Sequence, residues 1–393
     1  MNAWQIIFWI CVASMVHSYL LYPWLLKLVA RGKEKKASLS TSNENVQSSL
    51  SVSVIMSVYN EERVIENKIR SVFKTKFPAS KLEMVIGSDG STDATDVIIE
   101  KLITEGYNIH FKKFGGRNGK SNIINALVPL AKGEIFMLTD ANILFDEHTI
   151  PQLINHFNDE AIGLVGANII NTGLRKDGIS FQEKTYIQRE NMIKYREGIL
   201  WGTMMGAFGA CYAIRSTLFT TIPPTFLMED FFITLNVLKS GKKAVADLQA
   251  NAYEDVSNLV KEEFKRKVRI SAGNFQNLGV FYPLLIRPFS GIGFSFLSHK
   301  VLRWLGPLFI IGAFVSSALL YDKNLFYRLL FFLQVAGFIS PLIDNLMSRM
   351  NMHNFAIRLI AYFYMMNFAL LLGLAKYIRG IRSNTWNPTQ RNI

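Results

Sequence analysis

Residues 52–62 read VSVIMSVYNEE, residues 82–93 read LEMVIGSDGSTD, and residues 135–142 read IFMLTDAN. Each is a short apolar run that ends in acidic, amide or hydroxyl side chains. Such runs, bounded by turn-forming residues, read as strands buried on both faces. Between them the apolar spacing turns helical, over Val64–Lys74, Asp93–Glu105 and Ser121–Ala131, with a further short strand at Ile109–Phe114. Strands that alternate with helices predict an α/β domain on a parallel sheet with right-handed crossovers. Ligands of such sheets bind beyond the carboxyl ends of the strands. Those ends here carry Tyr59-Asn60-Glu61-Glu62, Ser88-Asp89-Gly90-Ser91-Thr92-Asp93 and Thr139-Asp140-Ala141-Asn142. A single acid at such a place is usually a helix cap, as Asp93 is expected to be. Three groups at one edge point to a site.

Carboxylates gathered at one edge repel unless something holds them. Mg²⁺ or Mn²⁺ would, since these ions take oxygen ligands from one or two carboxylates plus substrate phosphates. Asp140 and Asn142, two apart after a strand, are the candidate metal ligands. Gly115-Gly116-Arg117-Asn118-Gly119-Lys120-Ser121 opens a helix, where anions bind well, and Lys120 is the candidate diphosphate cation. It is not a P-loop, because Phe114 stands where the first glycine would be. Gly206–Ala210 is rich in small residues that let a ligand approach the backbone. Next, Met228-Glu229-Asp230-Phe231 puts two adjacent acids at a helix start. On a surface that is a solvated helix terminus. In a cleft, apolar walls and a neighbouring charge would raise a carboxyl pKa and suit it to act as a general base. The run Phe264–Arg269, taken alone, reads as a solvated or lipid-facing helix face.

The flanks differ in kind. Ile6 to Leu26 carries no charge, which is long enough to cross a bilayer. Lys27, Arg31, Lys33, Lys35 and Lys36 come at once after it and place the next domain in the cytoplasm. A cleaved signal peptide fits less well, because its basic residues would precede the apolar run. Residues 1–36 are thus read as an anchor, 37–51 as a polar linker and 52–276 as the cytoplasmic domain. Residues 277–300, broken by Pro283, Pro288 and Gly291, read as an interfacial segment. Residues 301–376 hold three stretches near span length, Val301–Leu320, Leu325–Ile343 and Phe355–Ala375. Residues 377–393 form a basic tail. Four spans would put that tail outside, against its charge, so the last segment is expected to be re-entrant or broken.

Composition agrees. Half of the 393 residues are hydrophobic and only 19% are charged, which excludes a disordered chain or a coiled coil. Two distant cysteines, Cys11 and Cys211, exclude a disulfide scaffold or a Cys-rich zinc site. The net charge of +13 admits nucleic acid, anionic lipid or a phosphate-bearing substrate. Its clusters flank apolar spans or lie at the expected diphosphate site, so no nucleic-acid partner is expected.

In order and spacing, these segments resemble the membrane-bound branch of glycosyltransferase family 2, which includes cellulose, hyaluronan and poly-N-acetylglucosamine synthases. The resemblance covers about Val52 to Gly273. It implies a GT-A, Rossmann-like nucleotide-diphospho-sugar transferase fold with transmembrane helices at both ends. By it, Tyr59-Asn60-Glu61 and Asp89 meet the donor nucleoside, and Lys120 the diphosphate. Asp140-Ala141-Asn142 matches the family's Asp-x-Asp metal motif. Glu229-Asp230 matches its acidic pair, with Asp230 as general base. Gly209, Ala210 and Tyr212 lie near the acceptor. Arg266-Lys267-Val268-Arg269-Ile270 matches the Gln-x-x-Arg-Trp motif, and Arg266 and Arg269 contact the diphosphate.

Two positions depart from the pattern. Asn142 replaces an acid, so the metal site carries less charge. Ile270 replaces the tryptophan on which an acceptor sugar stacks, and Ile has no π face. The implied activity is a metal-assisted, inverting sugar transfer from a nucleotide-diphosphate donor, expected to be UDP-linked, to a lipid-linked or glycan acceptor at a bacterial plasma membrane. A processive synthase that threads its product across the membrane is the alternative that Ile270 disfavours. A non-enzymatic nucleotide-sugar receptor is the one that Glu229-Asp230 disfavours.

Overall fold

The computed structural model describes residues 2–40, 49–173, 180–255, 259–350, 352 and 354–385. Parts of the expected linker and basic tail, Arg391 included, lie outside them. The chain forms two compact units. One comprises Leu26–Glu262, Ser290–Ile292 and the residues from Ile381, and the other Met1–Leu25, Glu263–Phe289 and Gly293–Gly380.

The first unit is built on an eight-stranded sheet. Its strands are β1 Val52–Val58, β2 Leu82–Asp89, β3 Ile109–Phe114, β4 Ile135–Thr139, β5 Ile143–Phe145, β6 Ile162–Thr172, β7 Cys211–Arg215 and β8 Lys243–Asp255. Their order is β3-β2-β1-β4-β7-β6-β8-β5. Every residue of β1, β2 and β4 is buried, as expected of strands covered on both faces. The helix Ile65–Phe73 lays Ile65, Ile69 and Val72 on the sheet in helical spacing. Each fully buried aliphatic side chain contributes about 1.5–3 kcal/mol relative to its exposed state. The helix Lys120–Leu127 rides directly over β2. A Cβ added to Gly87 would lie 2.6 Å from the Ile123 Cγ2, so glycine sets that close approach.

β1 pairs in parallel with β2 and β4, and β2 in parallel with β3. The expected parallel sheet ends there. β7 runs antiparallel to both β4 and β6, so the sheet is mixed. The reason is where the chain enters β7. The Ala210 carbonyl accepts from the Asp140 N–H (3.3 Å) at the carboxyl edge of β4, so the strand after Ala210 can only run back down. That reversal brings the Gly206–Ala210 loop onto the ligand edge.

The second unit is helical. Ala3–Glu34, Leu325–Arg349 and Phe355–Ile378 are each long and apolar enough to cross a membrane. The expected span Val301–Leu320 is not one helix. Gly291–Trp304 and Gly306–Leu319 meet at a 61° bend. Pro307 stands in the first turn of the second half, where its missing N–H breaks no bond and it cannot continue the first half. The break thus lies in the first carboxy-terminal segment. The last, Phe355–Ile378, is one continuous helix, which corrects the expectation of a broken final segment. The stretch read as interfacial is mostly helical: it begins with the end of the helix Val260–Phe281, continues as a short 3-10 helix over Tyr282–Ile286, and from Gly291 forms the first half of the bent pair.

Candidate active site

The ends of β1 and β2 are tied together. Asn60 sits in the left-handed region at φ 52°, which its short amide tolerates, and its Oδ1 accepts from the Thr92 N–H at 2.8 Å. The Ser91 hydroxyl accepts from the Asn60 N–H, and the Thr95 hydroxyl from the buried Glu61's N–H. Asp93 accepts from the N–H groups of Thr95 and Glu62, but the N-cap position of the helix is held by Ala94, so Asp93 precedes the cap and is not the capping residue that the sequence predicts. Asp89 is fully buried. Its carboxylate accepts from the N–H groups of Asn118 (2.6 Å) and Gly119 (3.0 Å) and lies 3.4 Å from Arg117 Nε. Asp89 therefore organises the glycine loop above it. Arg117 lies over the Tyr59 ring at 3.3 Å.

The centre of the cleft is a strap. The Lys120 ammonium lies 2.7 Å from Asp140 Oδ1 and 2.6 Å from Glu229 Oε1. Burial by itself would lower the Lys120 pKa, but Asp140 and Glu229 together hold it well above the ordinary lysine value. Glu229 and Asp230 open the helix Glu229–Lys239 and are both buried. They are not the solvated helix start that a surface position would give. Burial pushes the Asp230 carboxyl up and the neighbouring Glu229 adds to the rise. Lys120, the Phe231 N–H and Lys194 oppose it, and the balance stands at about 6. Asp230 is thus ionised at neutral pH and able to take a proton.

The Gly206–Ala210 loop closes on this pair. A Cβ on Gly209 would lie 3.0 Å from Asp230 Oδ2, so only glycine leaves the carboxylate undisturbed. The Ala210 carbonyl accepts from both the Asp140 N–H and the Thr139 hydroxyl (2.8 Å). Tyr212 is buried with its hydroxyl unpartnered, and burial with the charges of Glu229, Asp230 and Asp140 raises its pKa well above the ordinary value. Asn142 donates weakly to Glu254 (3.5 Å), which leaves its carbonyl oxygen for a cation. Among the described residues no group of three or more His, Cys, Asp or Glu forms a closed metal site. Asp140 and Asn142 carry oxygens of the kind taken by an ion that is also liganded by a diphosphate.

Tyr59, Asn60, Glu61, Asp89, Lys120, Asp140, Asn142, Gly209, Ala210, Tyr212, Glu229 and Asp230 all belong to the sheet unit. Arg266 and Arg269 belong to the other unit, on the helix Val260–Phe281, where Arg266 lies 3.4 Å from Glu263. Sequence reasoning missed three residues. Lys68 is fully buried, donates to the Thr139 hydroxyl at 3.0 Å and lies over the Phe145 ring. Burial lowers its pKa to about 7. Its signal was the helical stripe Ile65, Ile69 and Val72, into which position 68 falls. Lys194 is buried, with its ammonium 3.1 Å from the Phe208 ring centre. Asn384, beyond the last helix, returns to the sheet unit and is buried, with its Nδ2 unpartnered. A Cβ on Gly119 would collide with its carboxamide.

Residues 53–220 match the model of glycosyl transferase family 2. The chain carries a family 2 glycosyl transferase domain. Two relatives align with part of it. A beta-monoglucosyldiacylglycerol synthase of Nostoc sp. is 29% identical over 125 residues, 31% of this chain and 27% of that protein. A poly-beta-1,6-N-acetyl-D-glucosamine synthase of Staphylococcus aureus is 30% identical over 125 residues, 32% of this chain and 30% of that protein. The aligned stretch thus spans under a third of either relative's length. A mannosyltransferase from Pyrobaculum calidifontis, solved in complex with GDP-Man and Mn²⁺, shares the fold. The TM-score is 0.68 at 19% identity, over 95% of this chain and 99% of that one. The family 2 domain and the GT-A fold, expected from the strand ends and the motifs between them, are borne out.

Proposed function

We propose that the chain is a membrane-bound, inverting glycosyltransferase of the hexosyltransferase type. It moves a sugar from a nucleotide-diphosphate donor, UDP-linked in our reading, to a lipid-linked or glycan acceptor. The observation that carries this is the buried Glu229–Asp230 pair, strapped through Lys120 to Asp140 and faced by the Gly209 backbone. In this reading Tyr59, Asn60, Glu61 and the loop held by Asp89 receive the nucleoside. Lys120 exchanges a carboxylate for a diphosphate oxygen. Gly209, Ala210 and Tyr212 line the acceptor side. Asp230 takes the proton from the acceptor hydroxyl, whose oxygen bonds to the anomeric carbon. The bond from that carbon to the diphosphate oxygen breaks, and its electron pair leaves with the nucleoside diphosphate. Asp140 and Asn142 would hold Mg²⁺ or Mn²⁺, which would supply positive charge to stabilise the leaving group. The Mn²⁺ in the archaeal fold relative supports a divalent ion, and its GDP-Man puts GDP-sugars beside UDP-sugars among the donors to test.

The catalytic unit lies on the cytoplasmic side in this reading, next to the basic cluster after the first span. Asn384 packs on that unit against Gly119, so residues 381–385 lie on the same side in this reading. Leu325–Arg349 and Phe355–Ile378 supply two crossings, and the bent pair must then enter and leave on one face. This satisfies the tail's basic charge without an extra span. One displacement inverts the anomeric centre, so an α-linked donor yields a β-linked product. The test is the anomeric configuration of the product by proton NMR, after a panel of UDP- and GDP-sugars with Mn²⁺ has named the donor. A β product is expected, and an α product would refute a single in-line step.

A further inference from the structure

Lys194 lies on the helix Ser180–Trp201, outside every segment that the sequence marked as functional. It is 4% exposed, and its ammonium sits 3.1 Å from the centre of the Phe208 ring. Phe208 is followed by Gly209, whose missing side chain leaves room for Asp230 Oδ2. The ammonium thus backs the acceptor loop where that loop meets the acid pair. Lys120 serves the other side, bonded to Glu229 and Asp140. The two cations differ in what substrate does to them. Lys120 is drawn to an incoming diphosphate. Lys194 is buried and lies over the Phe208 ring instead.

We propose that Lys194 is a positioning residue for acceptor deprotonation: from behind the Phe208–Gly209 loop it backs the Asp230 carboxylate with a fixed positive charge while Lys120 engages the donor. The proposal rests on Asp230 being the base. A buried cation is strongly desolvated and must recover that cost through nearby negative charge or polarisable rings. In return its field acts through a low-dielectric interior, where a charge is felt far more than across water. The groups that bear on Asp230 are Glu229 on its own helix, Lys120 on the helix Lys120–Leu127, Tyr212 on β7 and Lys194 on the helix Ser180–Trp201. Asp140, after β4, acts through Lys120. Glu190 and Glu197 share the helix with Lys194, and Glu197 accepts from the Met205 N–H at 3.0 Å, which fixes the helix to the start of the acceptor loop.

The test is the pH profile of kcat/KM for the full-length protein in detergent with lipid. The profiles needed are those of wild type, Lys194→Met, Lys194→Gln, Lys194→Arg and Asp230→Asn, each checked for wild-type-like thermal unfolding. Asp230 must be ionised to act, so activity falls on the acid side, with a wild-type midpoint near 6. Removing a cation that favours the carboxylate moves this limb to higher pH. We expect the Met and Gln variants to shift it upward by roughly half a pH unit or more, about a twofold further loss at pH 6 relative to each variant's own plateau. Lys194→Arg keeps the charge and is expected to hold the limb in place. A purely structural role would lower the plateau and leave the midpoint unmoved. An unmoved midpoint in folded Met and Gln variants, with Asp230→Asn inactive, overturns the proposal alone. An Asp230→Asn enzyme that turns over like wild type removes the base, and the proposal with it.

Discussion

Replacing Lys120 by methionine tests the strap at the centre of the cleft. Methionine keeps most of the volume and removes the charge. In the wild type the ammonium serves Asp140 at 2.7 Å and Glu229 at 2.6 Å. Stranding a carboxylate by removing its buried partner costs about 3–5 kcal/mol. The Asp140 side chain is 40% exposed, so water takes over part of its solvation, whereas Glu229 at 8% has little such relief. Most of the loss therefore falls on Glu229, and a net destabilisation of about 2–3 kcal/mol is expected. Catalysis loses more than stability. The diphosphate loses a charged hydrogen bond, worth about 1.5–3 kcal/mol. Asp230 loses a cation that opposes its rise and is protonated at higher pH. Together these lower kcat/KM by about 100-fold or more at pH 7. The assay pairs thermal unfolding with nucleoside diphosphate release at saturating Mn²⁺. A variant that is destabilised yet keeps kcat/KM within about threefold of wild type would refute the reasoning, since Lys120 would then be only a structural brace.

Three further outcomes are expected. Gly209→Ala places a methyl 3.0 Å from Asp230 Oδ2, so kcat should fall about tenfold or more with little change in Tm, as kinetics and calorimetry will show. Lys68 has a folded pKa of about 7 against an ordinary 10.5, so between those values the unfolded chain binds more protons and stability rises with pH. Lys68→Met should flatten that rise and be neutral or more stable by about 1–3 kcal/mol at pH 6.5, read from denaturation at a series of pH values. Ser383→Cys in the tail and Val97→Cys on the sheet unit are both exposed sites, and the native Cys11 and Cys211 are buried. An impermeant thiol reagent should label both introduced cysteines from the same face of sealed vesicles. Labelling from opposite faces would rule out the re-entrant bent pair.

The strand ends were legible because strand and site coincide in this fold. VSVIMSV can be buried on both faces only in a covered sheet, and Tyr59-Asn60-Glu61 at its end must then line the edge. Asp140 was singled out on that logic, and the Glu229–Asp230 pair as two adjacent acids at a helix start. The antiparallel β7 was not, because its direction depends on the Ala210 carbonyl reaching the Asp140 N–H, a contact between residues 70 positions apart. Asp89 was read as a nucleoside ligand, yet its oxygens are taken up by the loop at 117–119, which no spacing reveals. The bend after Trp304 had a signal, since Gly306-Pro307 marks a new helix start, but uniform apolarity over Val301–Leu320 hid it. Lys68 had one as well, in its place on the apolar stripe of its helix. Asn384 had none, because its partner at Gly119 lies 265 residues away and local pattern carries no trace of it.

The central claim is that Asp230 deprotonates an acceptor while the cleft around Asp140 holds a nucleotide-diphosphate sugar. The most direct measurement is nucleoside diphosphate release by the purified protein in native lipid, with a panel of UDP- and GDP-sugars and Mn²⁺ or Mg²⁺, for wild type and Asp230→Asn. The expected result is metal-dependent release from one donor by the wild type, with a loss of several orders of magnitude in the variant while donor binding persists. Equal release by the two proteins would contradict the account.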